Sequence, residues 1–228
     1  MFMKHILDRP IWSALQTDHA DLALRLGRAW RYPATIGPFA AAADLSKESM
    51  DDLARMPVAD EMIALFEPDD IPIPKGMTSL GYFSLHQMVA GKRLPLLHDP
   101  KVSDLTEADV PAMMELADLA KPGPFSLEAQ RLGAFWGIRV QGKLVAMAGQ
   151  RMRQPGFVEL SGVCTHPEFR GRGFASLLSK YVAGKIASIG RKPYVHVHGT
   201  NTAALAFFGG LGFELRKKLN LRRLTPSQ

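Results

Sequence analysis

Cysteine is almost missing from this chain. Cys164 stands alone among 228 residues, so no internal disulfide can form, and a reducing cytoplasm is the expected setting. No apolar run reaches the roughly 18 residues that span a bilayer, which argues against a membrane protein. The opening Met1-Phe2-Met3-Lys4-His5 lacks the apolar core of a secretory signal. No His, Cys, Asp and Glu cluster has metal-ligand spacing, so no metal is expected. Acidic residues are scarce in one part only. Residues 1–100 carry 10 Lys+Arg against 13 Asp+Glu, whereas residues 101–228 carry 18 against 9. A net +9 on the second part suits a polyanionic partner. The basic residues are scattered, with one dense group at Arg216, Lys217, Lys218, Arg222 and Arg223, and no nucleic-acid-binding motif accompanies them. That group reads as a solvated strand face, and nucleic acid is not the expected partner.

What remains is an ordinary soluble composition with enough length for one large or two small units. Apolar spacing predicts a helix over about residues 13–30, with Trp12 and Trp30 in a core. Short strands follow at 39–44, 62–66 and 80–89. A helix carrying Met50 and Leu53 is capped by Ser46. Residues 91–100 read as a linker, and the division falls at 1–97 and 98–228. Beyond it, a strand at 102–105 leads into a helix at 106–120, with Thr106 and Asp109 at capping-box spacing. Lys121-Pro122-Gly123-Pro124 breaks that helix, and 126–132 suits a second short one. A hairpin over 135–153, a strand at 157–165, a helix to about Ile189, a strand at 194–197, a helix at 202–211 and a last strand at 213–224 complete the order. Asp44-Leu45-Ser46 and Asp104-Leu105-Thr106 are followed by apolar residues at the same offsets. This is either an internal repeat or a chance echo.

The stretch that organises the chain joins the strand at 157–165 to the helix behind it. Arg170-Gly171-Arg172-Gly173 precedes Phe174, Leu177, Leu178, Tyr181, Val182 and Ile186, whose spacing marks one helix face. A helix start offers backbone N–H groups without partners and the positive end of the dipole. Glycines let a bulky anion approach those amides, and arginines add donors, so the loop suits a phosphate or pyrophosphate.

Arg170-Gly171-Arg172-Gly173-Phe174-Ala175 resembles the Arg/Gln-x-x-Gly-x-Gly/Ala signature of the GNAT superfamily of N-acyltransferases. Asn201-Thr202-Ala203-Ala204, Phe207-Phe208 and Leu211-Gly212-Phe213 resemble its second signature, in the correct order. The resemblance covers about residues 102–221. It implies an α/β fold with a mixed, partly antiparallel sheet and helices on both faces. The first part would be a smaller, degenerate copy of the same unit. The flavour is similar to the glycine N-acyltransferase-like branch. The implied activity is transfer of the acetyl group of acetyl-CoA to a primary amine of a small molecule or amino acid. A non-catalytic acyl-CoA sensor is the alternative, and a homodimer stays open.

The resemblance also implies residue roles. The backbone of Val163, Cys164 and Thr165 would pair with the pantetheine amides. Arg170, Gly171, Arg172, Gly173, Phe174, Ala175 and Ser176 would hold the pyrophosphate. Asn201 would bond the pantetheine arm, and Phe208 would sit where the family usually has the tyrosine that protonates the thiolate. That hydroxyl is absent here. Period-two alternation puts Glu159, Ser161 and Val163 on one strand face and Cys164 on the other. Glu159 is then the leading candidate base, or else a surface carboxylate. His196 and His198 share a face near a strand end, as base, acceptor-site or structural histidines. His86 could reach a cleft shared by the two parts.

Overall fold

The computed structural model describes residues 5–92 and 94–227; the opening residues 1–4 lie outside that description. Its first elements differ from the predicted helix over 13–30. Helix α1 (Pro10–Gln16) stops after seven residues. Strands β1 (Leu24–Leu26) and β2 (Ala29–Arg31) then form a hairpin. The apolar spacing there was shared by both outcomes. Gly27 decides between them: with φ of +52° it makes the hairpin turn, and the adjacent Arg28 N–H donates to Asp52 Oδ2 at 2.8 Å. Trp12 and Trp30 do pack on each other, 5.5 Å between centroids. Strand β3 (Ala40–Ala42) completes a three-stranded sheet, against which α2 (Lys47–Ala54) packs. Ser46 caps α2 through Ser49 N–H.

Among the described residues, the other strands form one eight-stranded sheet. Strands β4 (Ile63–Glu67) and β5 (Met77–Ala90) come first. Next are β6 (Val102–Leu105), helix α3 (Val110–Ala120), β7 (Phe135–Val140), β8 (Lys143–Gln154) and β9 (Phe157–Thr165). Helix α4 (Phe174–Ser188), β10 (Lys192–His198), α5 (Thr202–Gly210) and β11 (Phe213–Pro226) end the chain. The strand order is β4-β11-β5-β10-β9-β8-β7-β6. Every neighbouring pair is antiparallel except β9 and β10, which are joined through α4 as a crossover requires.

Strand β5 sits between β10 and β11, so the early part of the chain completes the sheet of the later part. Thr106 and Asp109 form the capping box. The two cap-helix segments of the internal echo start from different sheets, β3 from the small one and β6 from the edge of the large one. Residues 94–97 are no loose linker: Leu94 and Leu97 join the α4 core, and the Pro95 carbonyl lies so close to Gly184 that a Cβ there would stand 2.3 Å away. Between Ser126 and Leu132 the chain makes only a 3-10 turn, Ala129–Leu132.

Helices lie on both faces of the sheet. Val158 and Leu160 pack with α4 and α5, whereas Cys164 packs with Met113 and Leu116 of α3. Another buried cluster joins Leu7, Ile11 and Phe39 of the first part to Leu85, Met152, Tyr194 and Leu219 of the sheet. Arg216, expected on a solvated face, instead reaches inward to Asp8 Oδ1 at 2.5 Å and Gln87 Oε1 at 2.7 Å. Among the described residues no helix is long and apolar enough to cross a membrane.

Candidate active site

Strands β9 and β10 are paired for only three residues: Lys192 with Phe157, Pro193 with Val158 and Tyr194 with Glu159. Both continue, to Thr165 and His198, but no longer as partners. The gap is a cleft of about 420 Å³, walled by residues 160–163 of β9 and 195–198 of β10 and closed by the loop after α3. Unpaired strand edges carry free N–H and C=O groups, so an extended ligand with amides can lie between them as a further strand.

Within β9 the alternation breaks. Gly162 has φ of +62°, and the register against β8 shifts between Ser161–Gly149 and Cys164–Met147. One extra residue on β9 is a bulge, and it turns the later side chains over. Val163 therefore joins the α4 side with Leu160, and Cys164 comes to the α3 side, the face of Glu159. This corrects the expected faces. A side chain at Gly162 would also strike the Phe135 ring, 2.8 Å from its Cβ position.

The head of the cleft is the loop between β9 and α4. Pro167–Phe169 forms a 3-10 turn that stops at Arg170. Gly171 and Gly173 both take positive φ, +76° and +79°. Gly173 is the N-cap of α4 and has no side chain to bond the first-turn amides; the helix ladder begins with Leu177 N–H on the Gly173 carbonyl. Nothing lies within 4 Å of where a Cβ would stand on either glycine. Arg170, Gly171, Arg172 and Gly173 are exposed, and Phe174, Ala175 and Ser176 are half-buried. Arg172 is stacked on Phe169, 4.8 Å from the ring centroid. The loop is thus an open cradle of helix-start amides with cations beside it, which fits a diphosphate.

The deep end is different. Glu159 is fully buried. Its carboxylate accepts from Arg151 Nε at 2.9 Å and Nη2 at 2.6 Å, and from His196 Nδ1 at 2.8 Å. Burial pushes its pKa up, but Arg151 and then His196 outweigh that and hold the carboxyl at about 2. The side chain of His196 is only 2% exposed. Its Nε2 meets Gln87 Nε2 at 3.1 Å.

Gln87 is itself fixed. Its Nε2 donates to the Leu7 carbonyl at 2.8 Å, and its Oε1 accepts from Arg216 Nη1, which can only donate. The amide NH₂ therefore faces His196, so Nε2 must accept and Nδ1 must carry the proton. Glu159 and Gln87 thus hold the His196 ring by its two nitrogens.

His198 is placed differently. Its Nδ1 meets Thr200 Oγ1 at 2.8 Å, its ring rests against Phe83 at 5.0 Å, and it lines the cleft. Asn201 caps α5, accepting from Ala204 N–H at 3.0 Å, and lines the cleft as well. Phe208 is buried against Phe207 and Phe213 and forms part of the same wall, which offers no hydroxyl there. Thr165 is half-buried at the end of β9. Burial raises the Cys164 thiol to about 12, which leaves it a neutral packing group. His86 does not line the cleft; its neighbour Gln87 is the residue that reaches the site.

Sequence reasoning missed Arg151, Gln87 and the first-part residues Ile36 and Phe39, which line a small recess beside Arg151. For Arg151 a signal existed: an arginine close behind the apolar run Leu144 to Ala148, inside one strand. For Gln87 there was none.

Comparison with known proteins agrees with this geometry. Residues 135–222, which hold the bulge, the cradle and both strand walls of the cleft, match the FR47-like protein family. No functionally curated protein matches the sequence. A solved structure from Novosphingobium aromaticivorans, described as an acetyltransferase from the GNAT family, is 37% identical and superposes with a TM-score of 0.93, covering 99% of this chain and 100% of that one. Two more distant structures share the fold. A GCN5-related N-acetyltransferase from Kribbella flavida is 17% identical with a TM-score of 0.65, covering 99% of this chain and 97% of its own. A GCN5-related N-acetyltransferase-like protein from Streptococcus suis is 13% identical with a TM-score of 0.57, covering 96% and 92%. With a splayed strand pair, an open amide cradle and a full-length relative above a third identity, the chain belongs to the GNAT family of acetyltransferases.

Proposed function

We propose that the protein moves the acetyl group of acetyl-CoA directly to a primary amine of a small molecule or amino acid. The observation that carries this reading is the parting of β9 and β10 beyond Tyr194–Glu159, with the open amide cradle at its head. Acetyl-CoA supplies an activated thioester when bound. Gly171 to Ser176 hold the pyrophosphate with Arg170 alongside, and the free edges of β9 and β10 pair with the pantetheine amides. Unpaired N–H groups of that edge stabilise the carbonyl oxygen as the amine nitrogen attacks.

The amine must lose a proton for its lone pair to form the new C–N bond while the C–S bond breaks. Glu159 is ill suited to take it: three donors occupy the carboxylate and its pKa is about 2. His196 has both ring nitrogens engaged, by Glu159 and Gln87. His198, with one ring nitrogen on Thr200 and the cleft beside it, is the group that receives the proton. The thiolate leaves beside Phe208 and takes its proton from solvent.

The absent hydroxyl at Phe208 favours the alternative of an acyl-CoA sensor. Thiol release from acetyl-CoA over a panel of amines separates the two. Turnover that falls at least tenfold in His198→Ala, with loss of the limb of the pH–rate profile set by a histidine, supports the transferase. Tight acetyl-CoA binding with no thiol release on any amine supports the sensor.

A further inference from the structure

The residues that line the cleft carry an uneven charge. Lys121, Arg151, His196 and His198 are among them, and among the described residues no Asp or Glu is. The recess beside it, about 20 Å³ between the loop after α3 and Ile36 and Phe39 of the first part, has no acid either. Glu159 is the carboxylate bonded from the cleft wall, and it is fully buried with its oxygens engaged. An amine whose only charge is positive finds no counter-charge here.

Arg151 supplies the opposite. Its Nε and Nη2 are tied to Glu159, and its Cζ lies 4.8 Å above the Phe39 ring. No described protein group accepts from Nη1, and that atom is not among the buried polar atoms left without a partner. Arg151 lines both the cleft and the recess, and Nη1 is the guanidinium nitrogen that Glu159 leaves unengaged. One edge of the guanidinium is pinned and its face is stacked, so the free edge is a fixed pair of N–H donors inside an acid-free wall. Such an edge is suited to a carboxylate oxygen.

We propose that the acceptor carries a carboxylate, and that Arg151 Nη1 receives it, which makes Arg151 the residue that selects an amino acid over a plain amine. This deepens the transferase reading and rests on it for the identity of the amine, though the subsite can be tested without turnover.

Calorimetry on the protein saturated with CoA tests it, using N-acetyl-L-alanine and N-acetyl-L-alaninamide, which differ only in the carboxylate. The acid should bind about tenfold tighter or better, as a charge-assisted hydrogen bond implies. Arg151→Lys keeps a cation for Glu159 but loses the fixed free edge, and should abolish the preference. Lys121→Ala, on an exposed loop, should keep it, and stands in if Arg151→Lys does not fold. Equal affinity for the two compounds, binding of neither, or a preference lost in Lys121→Ala overturns the proposal. Thiol release separates this from the broader reading. Carboxylate-selective binding without thiol release on any amine of the panel leaves the subsite and overturns the transferase. Thiol release as fast with L-alaninamide as with L-alanine leaves the transferase and overturns the subsite.

Discussion

The two ends of the cleft are made in opposite ways. The head is backbone: two glycines of positive φ, a helix start without a side-chain cap, and exposed arginines, all within residues 170–176. The deep end is side chain: Arg151, Glu159, His196 and Gln87, drawn from four strands and bonded in a chain, with Glu159 and Gln87 fully buried. A backbone site depends on local dihedral angles, which a few consecutive residues can dictate. A side-chain site depends on every strand that brings a member to it. The head should therefore respond to mutation in binding alone, whereas the deep end should respond in folding.

The largest expected effect is at the deep end. Glu159→Ala leaves the Arg151 guanidinium buried without its counter-ion, and should cost about 3–5 kcal/mol in denaturant unfolding. If its stability stays within 1 kcal/mol of wild type, roughly the value of an exposed pair, the ion pair does not behave as a buried one.

Acid should reach the buried groups next. Burial, then the nearby Arg153, lowers His19 to about 4 from 6.5. Its folded pKa lies below its unfolded one, so its contribution is present above pH 6.5 and is lost as pH falls from 6.5 to 4. The loss amounts to about 3 kcal/mol. Glu159, held at about 2, contributes stability above pH 4.5 that is lost between 4.5 and 2. Unfolding free energy measured at pH 7 and pH 4.5 should show the first step, and His19→Phe should flatten it. An unchanged slope in that variant would assign the acid lability to other groups.

At the head, Arg170→Ala should weaken acetyl-CoA about tenfold, more so at low salt, while the melting temperature stays put. A shift in melting temperature as large as that of Glu159→Ala would erase the contrast between the two ends.

The smallest effect concerns Cys164. With its thiol raised to about 12 and packed on α3, it should react with a thiol reagent only as the protein unfolds. Rapid labelling of the folded protein would show that the α3 face of β9 opens.

Legibility followed the same division. The cradle could be read because its chemistry needs a contiguous run, Arg170-Gly171-Arg172-Gly173 followed by an amphipathic helix. The strands and longer helices after Val102 were legible because each has its own period and punctuation, whereas the short helix expected over 126–132 is only a 3-10 turn. The faces of β9 were not, because one bulge at Gly162 reverses the alternation and no count of residues announces it. The helix expected over 13–30 failed because amphipathic spacing was satisfied by chance, while Gly27 and its contact with Asp52 favoured a hairpin.

By itself, then, the sequence determined the open glycine–arginine loop at the start of α4, the order of elements behind it, and a phenylalanine rather than a hydroxyl at 208, all of them consequences of which residues stand next to each other. Tertiary structure decided the rest. It set β5 between β10 and β11, brought Gln87 to His196, and turned Glu159 from a candidate base into a buried counter-ion. The physical reason is that a side chain's charge and proton depend on what surrounds it, and here the surroundings come from other strands, 8 positions away for Arg151 and Glu159, 37 for His196 and Glu159, and 109 for Gln87 and His196.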